Sequence, residues 1–166
     1  MPQPLLAHHA LEIVDAPSIS PITLAEVKAQ LRVEHSDDDA MIQRLIDVAV
    51  AYTDVRGVLG QAMITQKWAQ WMGPNPSQAV SLVLSPVHAV TAIKYYDLDG
   101  VLQTDTLTNY QTFGTDFDST VGPKDGFACP VAQNRPDAIR IEYEIGYGDA
   151  ITDVPQSIRH ALMLLV

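Results

Sequence analysis

The sequence predicts an α+β chain with two N-terminal helices, a central, mainly antiparallel β region of short strands with a hairpin, and a C-terminal helix. Three observations carry this. Apolar residues recur at helical spacing between residues 23 and 57, behind two capping signals. Between residues 62 and 145 they gather into short β-branched and aromatic runs separated by glycine and proline. From residue 155 onward the helical spacing returns.

Residues 1–20 hold Pro2, Pro4 and Pro17 and no sustained period, and are expected to form an extended arm packed on a neighbour through Leu11, Ile13 and Val14. Residues 21–166 are expected to form a single domain. Its first helix spans 23–33: Thr23 and Glu26 make a capping box, in which the Thr23 hydroxyl accepts a first-turn amide and the Glu26 carboxylate reaches back. Leu24, Val27 and Leu31 then share a face. The second helix spans 37–57, with Asp37, Asp38 and Asp39 at the positive end of its dipole and Met41, Ile42, Leu45, Ala49, Tyr52 and Val55 following at helical spacing. Gly57 and Gly60 supply its stop.

Strands are expected at 62–72, 80–84 and 90–96, with a tight turn at 97–100 returning the chain into 101–104 as the hairpin partner. Residues 110–113 add an edge strand, and 114–136 read as a long loop broken by glycine and proline. Residues 138–145 alternate Ile139, Ile141, Tyr143 and Ile145 on one face of a strand. The last helix, 155–166, opens on Pro155 and carries Ile158, Ala161, Leu162 and Leu165 as an apolar stripe. It runs out on apolar residues without a cap, which suggests burial against a partner or a missing continuation.

Charge limits the function. Twenty acidic residues face ten basic ones, for a net charge of −10. No two basic residues are adjacent, whereas a protein that grips nucleic acid concentrates Lys and Arg to neutralise phosphates. Such a surface repels a duplex: it is suited to solubility, or to a wall past which DNA slides without sticking. The N-terminus has no basic start or sustained apolar stretch, which argues against a secretory leader. No apolar run approaches the roughly 20 residues that cross a bilayer. The single cysteine, Cys129, excludes an internal disulfide framework and fits a reducing compartment.

Catalytic patterns are missing. Three consecutive helical aspartates point about 100° apart and converge poorly on one ion, so Asp37, Asp38 and Asp39 are better explained as helix-terminal charge. If Gly100 took the sixth position of a calcium loop, Tyr95 and Thr106 would fall at its first and twelfth positions, where carboxylates are required. The histidines His8, His9, His35, His88 and His160 form no H-x-x-x-H or H-E-x-x-H pair, and there is no C-x-x-C, G-x-S-x-G, P-loop or G-x-G-x-x-G motif. Trp68, Trp71, Tyr95 and Tyr96 lack interleaved basic residues and are better used in core packing and subunit contacts than in stacking bases.

The order of elements resembles the head–tail connector (adaptor) proteins of long-tailed bacteriophages and gene transfer agents. Its carriers are Ile22 to Lys28 with Leu31, Arg32 and Val33, then Asp38 and Asp39 with Ile42, Leu45 and Ile46. Gly60, Ile64, Thr65 and Gln66 follow, then Leu84, Ser85 and Pro86 ahead of Val90 and Ile93. Asp99 and Gly100, Gly146 to Gly148, and Val154, Pro155, Ile158, Arg159 and Ala161 complete the set, which spans about residues 21–166.

The resemblance implies a structural virion protein without enzymatic activity or cofactor, assembled in the bacterial host cytoplasm and placed at the head–tail junction of a phage-like particle. Such proteins form a ring, expected to be twelvefold, below the portal protein. The ring extends the DNA channel, lets DNA pass without specific binding, and presents a surface to the next joining protein, a stopper or tail protein. Ile158, Arg159, Leu162 and Leu165 are then candidates for the subunit or portal interface. Asp37, Asp38, Asp39, Asp116 and Asp118, with Asp125, are candidates for the acidic channel or surface. Rival readings are a stopper or tail terminator, a non-viral acidic adaptor domain, and a metal-dependent enzyme using the aspartate cluster.

Overall fold

The computed structural model describes residues 10–74 and 79–166. In chain order its elements are β1 (Ala10–Asp15), α1 (Leu24–Leu31), α2 (Asp39–Thr53), β2 (Gln66–Met72), β3 (Val80–Ser81), β4 (Val87–Tyr96), β5 (Leu102–Asp105), β6 (Tyr110–Thr115), β7 (Asp118–Pro123), β8 (Ile139–Ile145) and α3 (Gln156–Leu165). The fold class is α+β, as expected. The chain forms two compact units whose segments interleave in sequence. The chain crosses between them after Ala16, within β2, on either side of Leu84–Pro86 and at the end of β8.

The first unit carries the strands. A five-stranded sheet has the order β1-β2-β8-β4-β5, and a three-stranded sheet the order β3-β7-β6. β1 runs antiparallel to β2, pairing Ala10 with Trp71 and Glu12 with Ala69; β4 and β5 are antiparallel, as are β6 and β7. The alternation foreseen in β8 holds: Ile139, Ile141, Tyr143 and Ile145 are buried. Met72, Val80, Ile93, Val121, Ile139 and Ile141 close around a void of about 40 Å³, room for little more than a water molecule. Gln70, fully buried, is satisfied from three sides: its Nε2 donates to the Ser81 carbonyl at 3.0 Å, and its Oε1 accepts from the Val83 amide at 3.0 Å and the Tyr143 hydroxyl at 3.1 Å. This is the arrangement that a buried amide requires.

Two expectations change here. Residues 1–9 of the expected arm lie outside the described residues, but residues 10–15 form β1, at the edge of the larger sheet. Ile13 and Val14 stay exposed, and backbone pairing with β2 is what orders this segment. The loop expected at 114–136 contains β7, which is the central strand of the smaller sheet despite Gly122 and Pro123. Gly122 permits close packing there: a Cβ would lie 3.1 Å from that of Ala79.

The second unit carries the helices. The Thr23–Glu26 capping box is present, with the Glu26 amide donating to Thr23 Oγ1 at 3.2 Å and the Thr23 amide to Glu26 Oε2 at 2.9 Å. α1 stops earlier than expected because Arg32 turns into the left-handed region, at φ 58°. α2 is shorter than the expected 37–57: the Val58 and Leu59 amides take the carbonyls of Tyr52 and Thr53 and fold the chain back after Thr53. Gly57 is required in that turn, since a Cβ would lie 2.0 Å from the Tyr52 carbonyl oxygen. The core joins Ile22 and Val27 at α1, Ile42, Ile46 and Ala49 from α2, Met63 and Ile64, Val154, and Leu162 from α3. Gly146, at φ 132°, lets residues 145–148 pass against the backbone of Ile64 and Thr65; a Cβ there would lie 2.7 Å from the Ile64 carbonyl carbon. Among the described residues no helix is long and apolar enough to cross a membrane.

Candidate assembly surfaces

The acidic turn before α2 is a helix entrance. The Asp38 carbonyl accepts the Met41 and Ile42 amides, at 3.0 and 2.9 Å. Lys28 Nζ bridges the His35 carbonyl at 2.7 Å and Asp39 Oδ1 at 2.5 Å, tying the end of α1 to the start of α2. Asp37 and Asp38 are exposed, and Asp39 is half-buried and already paired. Among the described residues no group of three or more His, Cys, Asp or Glu side chains is placed to hold a metal ion. Asp39, in the first turn of α2, acts through the helix dipole and Lys28, and Asp38 lies 3.8 Å from His35 Nε2.

The α3 candidates separate. Leu162 is fully buried and belongs to the core of its own unit, so it offers no surface to a partner. Ile158 packs against that core, and Arg159 is ion-paired through Nη2 with Glu26 Oε1. Partial burial alone would raise the Glu26 carboxyl. The Thr23 hydrogen bonds and the Arg159 charge outweigh it and hold that group below the usual glutamate range. Leu165 is exposed and borders a groove of about 380 Å³ with Tyr52, Val58, Leu59, Ile158 and Ala161, a lining almost without polar surface.

In the strand unit, Asp116 and Asp118 flank the β6–β7 turn, exposed beside the exposed rings of Phe113 and Phe117. Asp125 is also exposed. Burial pushes the Cys129 thiol above the ordinary range, so it stays protonated at neutral pH.

Sequence reasoning missed one constellation. Glu142, on the polar side of β8, is buried and receives Lys94 Nζ at 2.6 Å and Lys67 Nζ at 3.4 Å, while Arg140 Nε lies 3.2 Å away. Burial alone would raise the Glu142 carboxyl, but the three cations hold it below the usual range. The neighbouring aromatics are sandwiched by arginines. Arg140 lies over Trp71 at 5.1 Å, Trp71 stacks with Tyr96 at 6.5 Å, and Arg135 lies 3.9 Å over Tyr96 while binding Asp137 through two 2.7 Å hydrogen bonds. Trp71 Nε1 donates to Glu12 on β1 at 3.0 Å. Basic residues scattered in sequence thus meet the aromatics after all, but each is committed to a carboxylate, Arg140 to Glu142 on β8 and Arg135 to Asp137 in the turn before it. Trp68 is buried and Tyr95 faces the unit's interior. The alternation of Arg140, Glu142 and Glu144 along β8 was the available signal.

The surfaces described are a paired-charge sheet face, an open apolar groove and exposed acidic turns on a small α+β scaffold. Residues 21–112, more than half of the chain, match the phage gp6-like head-tail connector proteins, and the chain belongs to that family. It is a structural head–tail connector. No curated protein matches the chain. Among solved structures, it is similar to a chain in the neck of an empty gene transfer agent particle computed with C6 symmetry (TM-score 0.74, 20% identity, covering 94% of this chain and 80% of that one). It is also similar to a chain in the virion of a native gene transfer agent particle (TM-score 0.74, 18% identity, 93% and 80% covered). A third likeness is to a chain in the native neck computed with C12 symmetry (TM-score 0.66, 16% identity, 94% and 80% covered). At these identities the likeness establishes a shared fold.

Proposed function

We propose that this chain is the ring-forming connector of a phage-like particle, seated at the head–tail junction, where it extends the DNA channel below the portal and receives the next joining protein. The observation that carries this is the family match, supported by a fold shared with chains of particle necks computed with C6 and C12 symmetry. A ring of twelve copies accords with that symmetry. The chemistry is passive. With a net charge of −10, the subunit offers DNA few counter-charges, so a channel built from it lets phosphates slide. The exposed Asp37 and Asp38, with Asp39, and the turn acids Asp116 and Asp118 are the proposed acidic lining. Leu165 and Ile158, at the open groove, are the proposed contacts of α3 with a portal or neighbouring subunit, and Arg159 positions that helix through Glu26.

Deleting the gene in the element that encodes the chain tests this reading. DNA-filled heads and free tails are the expected products, with joined particles restored by the wild-type chain supplied in trans. Normal yields of joined particles without it would overturn the proposal.

A further inference from the structure

α2 carries two apolar stripes where one is enough to hold it. Ile42, Ile46, Ala49 and Thr53 follow the helical repeat and are buried in the unit's own core. Met41, Leu45, Val48 and Tyr52 follow the same repeat one position earlier and are 55%, 37%, 66% and 60% exposed. The second stripe extends about 16 Å along the helix at 1.5 Å per residue. It runs on through Tyr52 into the groove bordered by Val58, Leu59 and Leu165.

We infer that this stripe and groove form the face by which one copy of the chain holds the next, an inference that rests on the ring reading above. The area suits that occupant. These seven residues are 37–69% exposed, which at roughly 150–200 Å² of surface per large apolar side chain leaves a patch on the order of 700 Å². That exceeds the roughly 300–600 Å² of the largest patch on an ordinary monomer and approaches the about 800 Å² each partner gives to a stable interface. Charge points the same way. Asp47 is turned back to Gln43, whose Nε2 donates to it at 2.9 Å. Arg44, exposed beside Leu45 and Val48, makes no ion pair among the described residues. Arg44 is therefore available at the border of the patch to a carboxylate of a second copy, whose sequence carries twenty acidic residues. In a closed ring the surface received here is a different patch of the neighbouring copy, because head-to-tail contacts are heterologous.

The test places a benzoylphenyl photo-crosslinker at Val48 of the full chain in assembled particles. A covalent product of two copies of this chain is expected, and none from the same probe at Val83, which is 52% exposed in the strand unit. A product with any other particle protein, or no product in particles that contain the chain, overturns the inference. Val48→Asp supplies a second arm: it is expected to melt with the wild type yet enter particles at least tenfold less well. Wild-type incorporation of Val48→Asp would remove this face while leaving the ring intact. Particles holding one copy of the chain would instead remove the ring itself.

Discussion

Leu162→Ala is expected to destabilise the helical unit by about 3 kcal/mol, measured as a shift in denaturant midpoint at unchanged slope. Leu162 is fully buried and belongs to the core cluster that also holds Ile22, Val27, Ile42 and Ile46. Truncation removes its transfer free energy and leaves a cavity that three helices pinned by the capping box, the Lys28 bridge and the Arg159–Glu26 pair can only partly close. Leu165→Ala, three residues on and 54% exposed, is expected to change stability by less than about 0.5 kcal/mol. Equal effects at the two positions would contradict the division of α3 into a core side and an assembly side.

Glu142→Gln is expected to cost about 3 kcal/mol at neutral pH, because it leaves the Lys67, Lys94 and Arg140 charges crowded without their shared counter-ion. The cations are 18–27% exposed and relieve part of the strain by reaching toward solvent, which keeps the loss at the lower end for a broken buried pair. The sign of the pH dependence follows from the direction of the shift. The carboxyl is held below the ordinary glutamate value of 4.5, so its contribution is complete above that pH and is lost as pH falls through the lower folded value. Wild type and Glu142→Gln should therefore differ most at neutral pH and converge in acid. A constant difference across the acid range would show that the charge of Glu142 contributes nothing.

What the sequence revealed followed the range of the interactions involved. The capping box of Thr23 and Glu26 is closed within one helical turn, so both partners were visible in four consecutive residues. The end of α2 was misplaced because the groups that terminate it, the Val58 and Leu59 amides, arrive from a turn whose course depends on Gly57 meeting the Tyr52 carbonyl. β1 and β7 were hidden for a similar reason: neither has a strong local pattern, and pairing with β2 on one side and with β3 and β6 on the other makes them strands. In α3, helical spacing placed Leu162 and Leu165 on one stripe, and only the packing separates the buried residue from the exposed one. The same limit applied to α2, where Met41, Ile42, Leu45 and Ala49 read as one broad apolar face until burial divided it. The polar residues of β8 were legible as an alternating row, but Lys67 and Lys94 reach Glu142 from other strands, so the cluster was not.

Function was legible through the order of elements rather than through any reactive group. A connector acts by presenting surfaces, and its informative residues are caps, turns and apolar stripes that are common one at a time. Their sequence along residues 21–112 is what the family match recognises. The structure then distinguishes the apolar residues buried in the fold from those left exposed.

The most direct test of the connector assignment is an image reconstruction, without imposed symmetry, of the neck of particles that carry this chain. The account predicts a closed ring of twelve copies around the DNA channel, between the portal and the next joining protein, with the Met41–Tyr52 stripe of each copy covered by its neighbour. Density for this chain elsewhere in the particle, or as isolated copies that do not encircle the channel, would contradict it.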